Sequence, residues 1–281
     1  MSKTIVITGA TDGIGKQAAL RLAADGHRLL LIGRNPVKGK QVAAEIQSQT
    51  GNSDLKFYPA DLSLMKEIKT VCDVIKTDLN SLDVLLNNAG AFFNSYATTG
   101  EGLERTFALN HMNYFFMTQN LLPLLRQANS ARIVNVSSDA HKGNTLDWEN
   151  IQGEKEYSGW KAYGRSKLMN ILFTYALARR LSDTAITVNC LHPGFVKTRF
   201  GDNNTGFMRW LIGAAKALMA INKEKGSDTS VYLAVDPEVA NVTGKYFVKC
   251  KAVSSSPVSY DTADQERLWQ LSEKVLNRLA L

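Results

Sequence analysis

A doubly wound parallel sheet with helices on both faces is the α/β fold that this chain predicts, and three observations predict it. Apolar runs of strand length alternate with stretches of helical period along the chain. A glycine-rich turn, Thr8-Gly9-Ala10-Thr11-Asp12-Gly13-Ile14-Gly15, joins the first run to the first amphipathic stretch. No Pro/Gly/Ser-rich linker, repeat or low-complexity tract divides the 281 residues, and with 44% of them hydrophobic a single domain over 1–281 has material for a full core.

Taken in order, the first strand is Thr4 to Thr8, around the apolar run Ile5-Val6-Ile7, and an amphipathic helix follows over Ile14 to Ala24. Arg28 to Ile32 is the second strand and Val37 to Thr50 its helix. Leu55 to Tyr58 and Leu64 to Leu79 repeat the pattern. The short run Val84 to Leu86 gives a fourth strand, and a long helix is expected from Glu101 to Leu125. Arg132 to Val136 is the fifth strand, Trp160 to Leu181 the helix after it, and Thr187 to Leu191 the sixth strand. Gly226 to Leu233 reads as a further helix, Lys245 to Val248 as a seventh strand and Ala263 to Leu279 as the closing helix; Lys249 to Thr262 is the most irregular stretch. In sheets of this kind ligands bind at the carboxyl ends of the strands, so chemistry belongs to the strand-to-helix turns.

Composition narrows the partners. A net charge of +7 would suit nucleic acid or an anionic membrane, but Lys and Arg are scattered among the acids and no basic patch is interleaved with aromatics, so nucleic-acid binding is not expected. Cys72, Cys190 and Cys250 lie far apart, with neither metal-ligand spacing nor a disulfide framework; buried, reduced thiols and no metal site are the expectation. Residues 1–8 hold only a short apolar run, too brief for a signal-peptide core or a membrane span, and a soluble cytoplasmic protein is expected.

The first turn carries the clearest ligand signal. Glycines let the backbone approach phosphates, and the amides at a helix start supply donors and positive potential, so Gly9, Thr11, Asp12, Gly13, Ile14 and Gly15 are candidates for a dinucleotide's pyrophosphate. NAD sites usually place an acid about 20 residues further on, against the ribose hydroxyl. Here Gly33-Arg34-Asn35 follows the second strand instead. Arg34 suits a 2′-phosphate, with Lys16 as a second cation, so NADP(H) is expected over NAD(H).

Tyr163 and Lys167 lie one helical turn apart, on one face. An ammonium beside a phenol stabilises phenolate, so the spacing predicts a Tyr163 pKa below its ordinary value of about 10, and with it a proton-transfer pair. The same spacing occurs on solvated helix faces, and the pair alone leaves both readings open.

Together these motifs carry a resemblance. With Thr8 to Gly15 spaced as TGxxxGxG, Asn87-Asn88-Ala89-Gly90 after the fourth strand, Asn110, Ser138, Tyr163 and Lys167, and Pro193-Gly194, the chain resembles the short-chain dehydrogenases/reductases over nearly its whole length. Residues 132–138 (RIVNVSS), 150–154 (NIQGE) and 191–194 (LHPG), with 24 residues between Ser138 and Tyr163, are similar to the retinol dehydrogenase-like branch, which includes WW-domain oxidoreductases. The resemblance implies a Rossmann-type domain in which Tyr163 exchanges a proton with the substrate oxygen and Lys167 stabilises the tyrosinate and holds the nicotinamide ribose. It implies that Ser138, rather than Ser137, bonds the developing alkoxide, and that Asn110 supports a water-mediated proton relay. Asn88, Ala89 and Gly90 would border adenine and ribose, Asp61 and Leu62 the adenine ring, and Pro193, Gly194, Val196 and Thr198 the nicotinamide. His192 is expected to be structural. A homodimer is a family expectation.

Phe207 to Ile221 is apolar nearly all round except Arg209 and Lys216. Following the Pro193-Gly194 turn, it is expected to form a substrate lid within an insertion over 200–224 that favours a small apolar carbonyl or alcohol; core packing and membrane contact are the other readings. The function expected is an NADP-dependent alcohol dehydrogenase or carbonyl reductase. The alternative is a catalytically idle dinucleotide-binding sensor or scaffold.

Overall fold

The computed structural model describes residues 2–194 and 223–281. Eight strands form one sheet in the order β3-β2-β1-β4-β5-β6-β7-β8. They are β1 (Thr4–Thr8), β2 (Arg28–Gly33), β3 (Leu55–Pro59), β4 (Val84–Asn87), β5 (Ala131–Val136), β6 (Ile186–His192), β7 (Tyr246–Val248) and β8 (Lys251–Val253). Every pairing is parallel except β7 with β8, which run antiparallel. The central strands are buried on both faces, as their continuous apolar runs require. The eighth strand goes beyond the seven expected: its three residues are all exposed, so no buried run marks it.

The helices are α1 (Gly13–Ala24), α2 (Pro36–Thr50), α3 (Met65–Asp78), α4 (Asn113–Arg126), α5 (Gly159–Arg180), α6 (Lys223–Val235) and α7 (Thr262–Arg278). Two cores separate the layers. On one face α1, α2 and α6 bury Leu22, Val42, Ile46 and Leu233 against the sheet. On the other, α3, α4 and α5 bury Ile68, Phe115 and Leu172, and α7 adds Leu268, Trp269 and Leu276. Ring contacts fasten α7, with Trp269 edge-on to Phe115 at 5.0 Å and stacked on Phe173 at 5.9 Å.

One expected helix is wound differently. The stretch expected from Glu101 starts at Arg105, because the Glu104 carboxylate accepts from the Thr106 and Phe107 amides and caps the first turn. After that turn the chain takes a π-helical turn over Ala108–Met112 before entering α4. Such turns accommodate an extra residue and recur at functional sites. This one carries Asn110.

Candidate active site

At the carboxyl end of β1 the chain turns within four residues into α1. Gly9 takes a left-handed φ of +66°, and a Cβ there would lie 2.9 Å from Ala89 Cα. A Cβ on Gly15 would lie 2.4 Å from both Asn88 Nδ2 and Gly9 O. Only glycine permits this approach. Thr8 Oγ1 accepts from the Asn88 and Ala89 amides at 2.9 and 3.0 Å, and Asn88 Nδ2 donates to Thr8 O at 2.9 Å. Asn88 and Ala89 therefore hold the loop in place. The tight loop opens onto the amino-terminal end of α1, an arrangement that fits the pyrophosphate of a dinucleotide.

The charged side chains around this loop are paired among themselves. Lys16 meets both oxygens of Glu45 at 2.7 Å, an exposed pair between α1 and α2. Lys38, which the sequence reading passed over, instead reaches Asp12 Oδ2 at 2.6 Å, and Asp12 caps α1 through the Gly13 amide at 2.7 Å. Asp12 puts a carboxylate at the amino-terminal end of the helix, and Lys38 offsets its charge. Arg34, beyond β2, has a side chain 75% exposed and lies 3.8 Å from Asp61 Oδ2. Asp61 is half-buried, whereas the Leu62 side chain lies in the core. An arginine and a lysine thus flank the end of β2, four residues apart on a helix start that Asn35 caps by accepting from the Lys38 amide.

The second group gathers at the ends of β4 and β5. Ser138 Oγ accepts from the Ala140 amide at 3.2 Å, and its hydroxyl faces the Tyr163 phenol closely enough to pull that group's pKa down. Ser137 Oγ is committed elsewhere, donating to Lys167 O at 2.7 Å, so Ser138 is the serine that meets Tyr163. Lys167 Nζ donates to Val136 O at 3.0 Å and lies 5.6 Å from the centre of the Tyr163 ring. Asn110 Oδ1 accepts from the Ala91 amide at 2.9 Å, while its Nδ2 donates to Ala91 O at 2.9 Å and Ser166 Oγ at 3.0 Å. A Cβ on Gly90 would touch Asn110 Oδ1 at 3.2 Å and Lys167 Nζ at 3.3 Å. Ser138, Tyr163, Lys167 and Asn110 are brought to one place by three separate segments, the turn after β5, α5 and the π-helical turn.

Electrostatics corrects one expectation. Burial raises the Tyr163 pKa well above the ordinary phenol value, opposed by the Ser138 hydrogen bond, rather than leaving it lowered by Lys167. The same burial depresses Lys167 to about 7. The physical reason is desolvation: both side chains are nearly inaccessible, and burial disfavours the charged form of each. Tyr163 is consequently protonated at neutral pH.

His192 is buried at the end of β6 and its Nδ1 accepts from the Asp139 amide at 3.2 Å. Pro193 and Gly194 follow, half-buried, with Gly194 at a left-handed φ of +85°. Val196, Thr198 and the helix expected over 207–221 lie outside the described residues, as does most of the insertion expected over 200–224; its last two residues begin α6. Cys72 and Cys190 are buried as expected, whereas Cys250 is only half-buried. Among the described residues no cluster of His, Cys, Asp and Glu could hold a metal, and no helix is long and apolar enough to cross a membrane.

An aromatic wall beside Tyr163 also escaped the sequence reading. Phe92, fully buried, packs edge-on to Tyr163 at 6.0 Å and against Trp160 at 4.6 Å, and Trp160 is 51% exposed. Trp160 stands three residues before Tyr163 in α5, on the same helix face. That spacing was the available signal.

Residues 3–207 match the family model described as short chain dehydrogenase. The chain belongs to the short-chain dehydrogenase family. Its relatives place this short-chain dehydrogenase in the retinol dehydrogenase-like branch. Retinol dehydrogenase 12 of Mus musculus is 36% identical over 274 residues, covering 98% of this chain and 86% of that protein. Retinol dehydrogenase 11 of Homo sapiens is 37% identical over 270 residues, covering 96% and 84%. Among solved structures, an uncharacterized protein from Mycobacterium Paratuberculosis superposes with a TM-score of 0.78 at 28% identity, covering 98% of this chain and 93% of that one. A short chain dehydrogenase from Escherichia coli CFT073, complexed with NADPH, superposes at 0.68 and 26% identity, covering 89% and 97%. This short-chain dehydrogenase is thus an oxidoreductase of a family that binds a nicotinamide dinucleotide.

Proposed function

We propose that this short-chain dehydrogenase transfers hydride between NADP(H) and an apolar alcohol, aldehyde or ketone, with Tyr163 as general acid and base. The observation that carries the reading is the meeting of the Ser138 and Tyr163 hydroxyls beside Lys167. When bound, the nicotinamide supplies or accepts the hydride. In the reducing direction Tyr163, protonated through its burial, donates to the substrate oxygen. Ser138 holds that oxygen by a hydrogen bond as charge develops on it. Lys167 in its ammonium form stabilises the resulting tyrosinate and, titrating near neutrality, returns a proton towards it. Asn110 keeps the loop after β4 closed against Lys167 through its paired bonds to Ala91.

The preference for NADP(H) rests on the missing acid after β2 and on Arg34 beside that turn, a planar donor suited to phosphate. An apolar substrate is favoured by Trp160, whose half-exposed ring stands one turn before Tyr163 and is backed by the buried Phe92, a wall without charge. NADPH oxidation across apolar aldehydes, ketones, retinal and steroid carbonyls tests the reading. Turnover with at least one apolar class is expected; inactivity with all of them alongside tight cofactor binding would favour a sensor.

A further inference from the structure

His111 follows Asn110 in the π-helical turn and takes no part in the chemistry proposed above. Its ring is fully buried between Phe107 at 5.5 Å and Phe115 and Phe173, each at 6.4 Å. His111 Nε2 lies 2.8 Å from Ser272 Oγ on α7. The serine hydroxyl has one proton, and it donates that proton to Leu268 O at 2.8 Å. The bond from His111 must therefore run from Nε2–H to Ser272 Oγ. That fixes the tautomer and leaves Nδ1 as a bare acceptor, which has no partner among the described residues.

A stranded acceptor in a core is unfavourable, and an apolar side chain would fill the same ring-lined space without one. What the imidazole adds is a directional bond to the last helix of the chain. Asn110 and His111, consecutive residues, are thereby pinned on opposite sides: Asn110 to Ala91 and Ser166, His111 to Ser272. A π-helical turn is not a favoured winding of the backbone, so its rotational setting is held by what its side chains grip.

We propose that α7 latches the π-helical turn through His111 and Ser272, making these two residues positioning residues that hold Asn110 in register with Lys167. The proposal rests on the proposed reaction only for its kinetic consequence; the geometric consequence stands apart from turnover.

The full-length chain carrying Ser272→Ala, His111→Phe or His111→Gln tests it, with Ile46→Val, in the core on the opposite face of the sheet, as a control for lowered stability. Amide hydrogen exchange is followed at Ala91, whose N–H is held by Asn110 Oδ1. Ser272→Ala and His111→Phe are expected to speed that exchange about tenfold, and Ile46→Val to leave it unchanged. The same two variants should lower kcat about tenfold with the KM for NADPH within about twofold. His111→Gln, whose side-chain amide can donate to Ser272, should recover most of both. Unchanged Ala91 exchange in Ser272→Ala and His111→Phe overturns the latch, as does equal acceleration in Ile46→Val. Exchange needs no turnover, so an inactive wild type would refute the proposed reaction while the latch is still judged by exchange.

Discussion

Lowering the pH from 7.5 to 5.0 should cost the folded protein about 2 kcal/mol through His111 alone. Burial depresses this imidazole from its ordinary 6.5 to about 3, so the folded chain stays neutral at His111 until strongly acid conditions. The unfolded chain takes up the proton as pH falls through 6.5. Stability is therefore insensitive to His111 above that value, declines by about 1.4 kcal/mol per pH unit below it, and levels off only beneath the folded pKa. At pH 5.0 the loss is about 2 kcal/mol for any folded value below about 4, so the figure does not depend on how far the depression goes. Burial also depresses His27, His141 and His192, which steepen the wild-type decline in the same direction. Urea denaturation of wild type and His111→Gln at both pH values isolates the one residue. The variant should lose about 2 kcal/mol less than wild type between the two. Equal losses would refute the neutral, buried state of His111.

Three further outcomes follow from the site. Arg34→Asp should weaken NADP(H) binding about thirtyfold, roughly 2 kcal/mol for a lost charge-assisted contact, and bring NAD(H) level with it or ahead; fluorescence titration of both cofactors reads this. Lys38→Ala should weaken NAD(H) and NADP(H) alike, because the Asp12 carboxylate at the amino-terminal end of α1 then loses the nearby charge of Lys38, and a loss confined to NADP(H) would contradict that. Trp160→Ala should raise the KM for a long apolar aldehyde about tenfold while leaving a two-carbon aldehyde unaffected, in steady-state kinetics with both.

Much of the site was legible because its signals are local. The turn from Thr8 to Gly15 announces itself by composition, and Gly9 and Gly15 are needed there because a Cβ at either would meet Ala89, Asn88 or the loop's own backbone. Tyr163 and Lys167 are visible through helical spacing, and the strands are visible because burial on both faces demands continuous apolar runs. Features set by long-range contact were not legible. The extra residue in the π-helical turn leaves no periodic mark, and what holds it lies partly on α7, 161 positions beyond His111. Lys38 reads as a surface cation until α2 brings it against Asp12, 26 positions earlier. The Tyr163 pKa followed burial rather than the neighbouring ammonium, because spacing shows which groups meet but not how much water they lose. The chain from Lys251 to Val253 forms a strand with no buried side chain, which no apolar pattern could mark.

The most direct test of the proposed chemistry is single-turnover hydride transfer in Tyr163→Phe with a substrate that wild type reduces. The variant keeps the ring packed on Phe92 and loses only the hydroxyl, so NADPH affinity should stay within about twofold while the rate falls about a thousandfold, in the range expected for a lost general acid. A rate near that of wild type would contradict the assignment of Tyr163 as the proton donor.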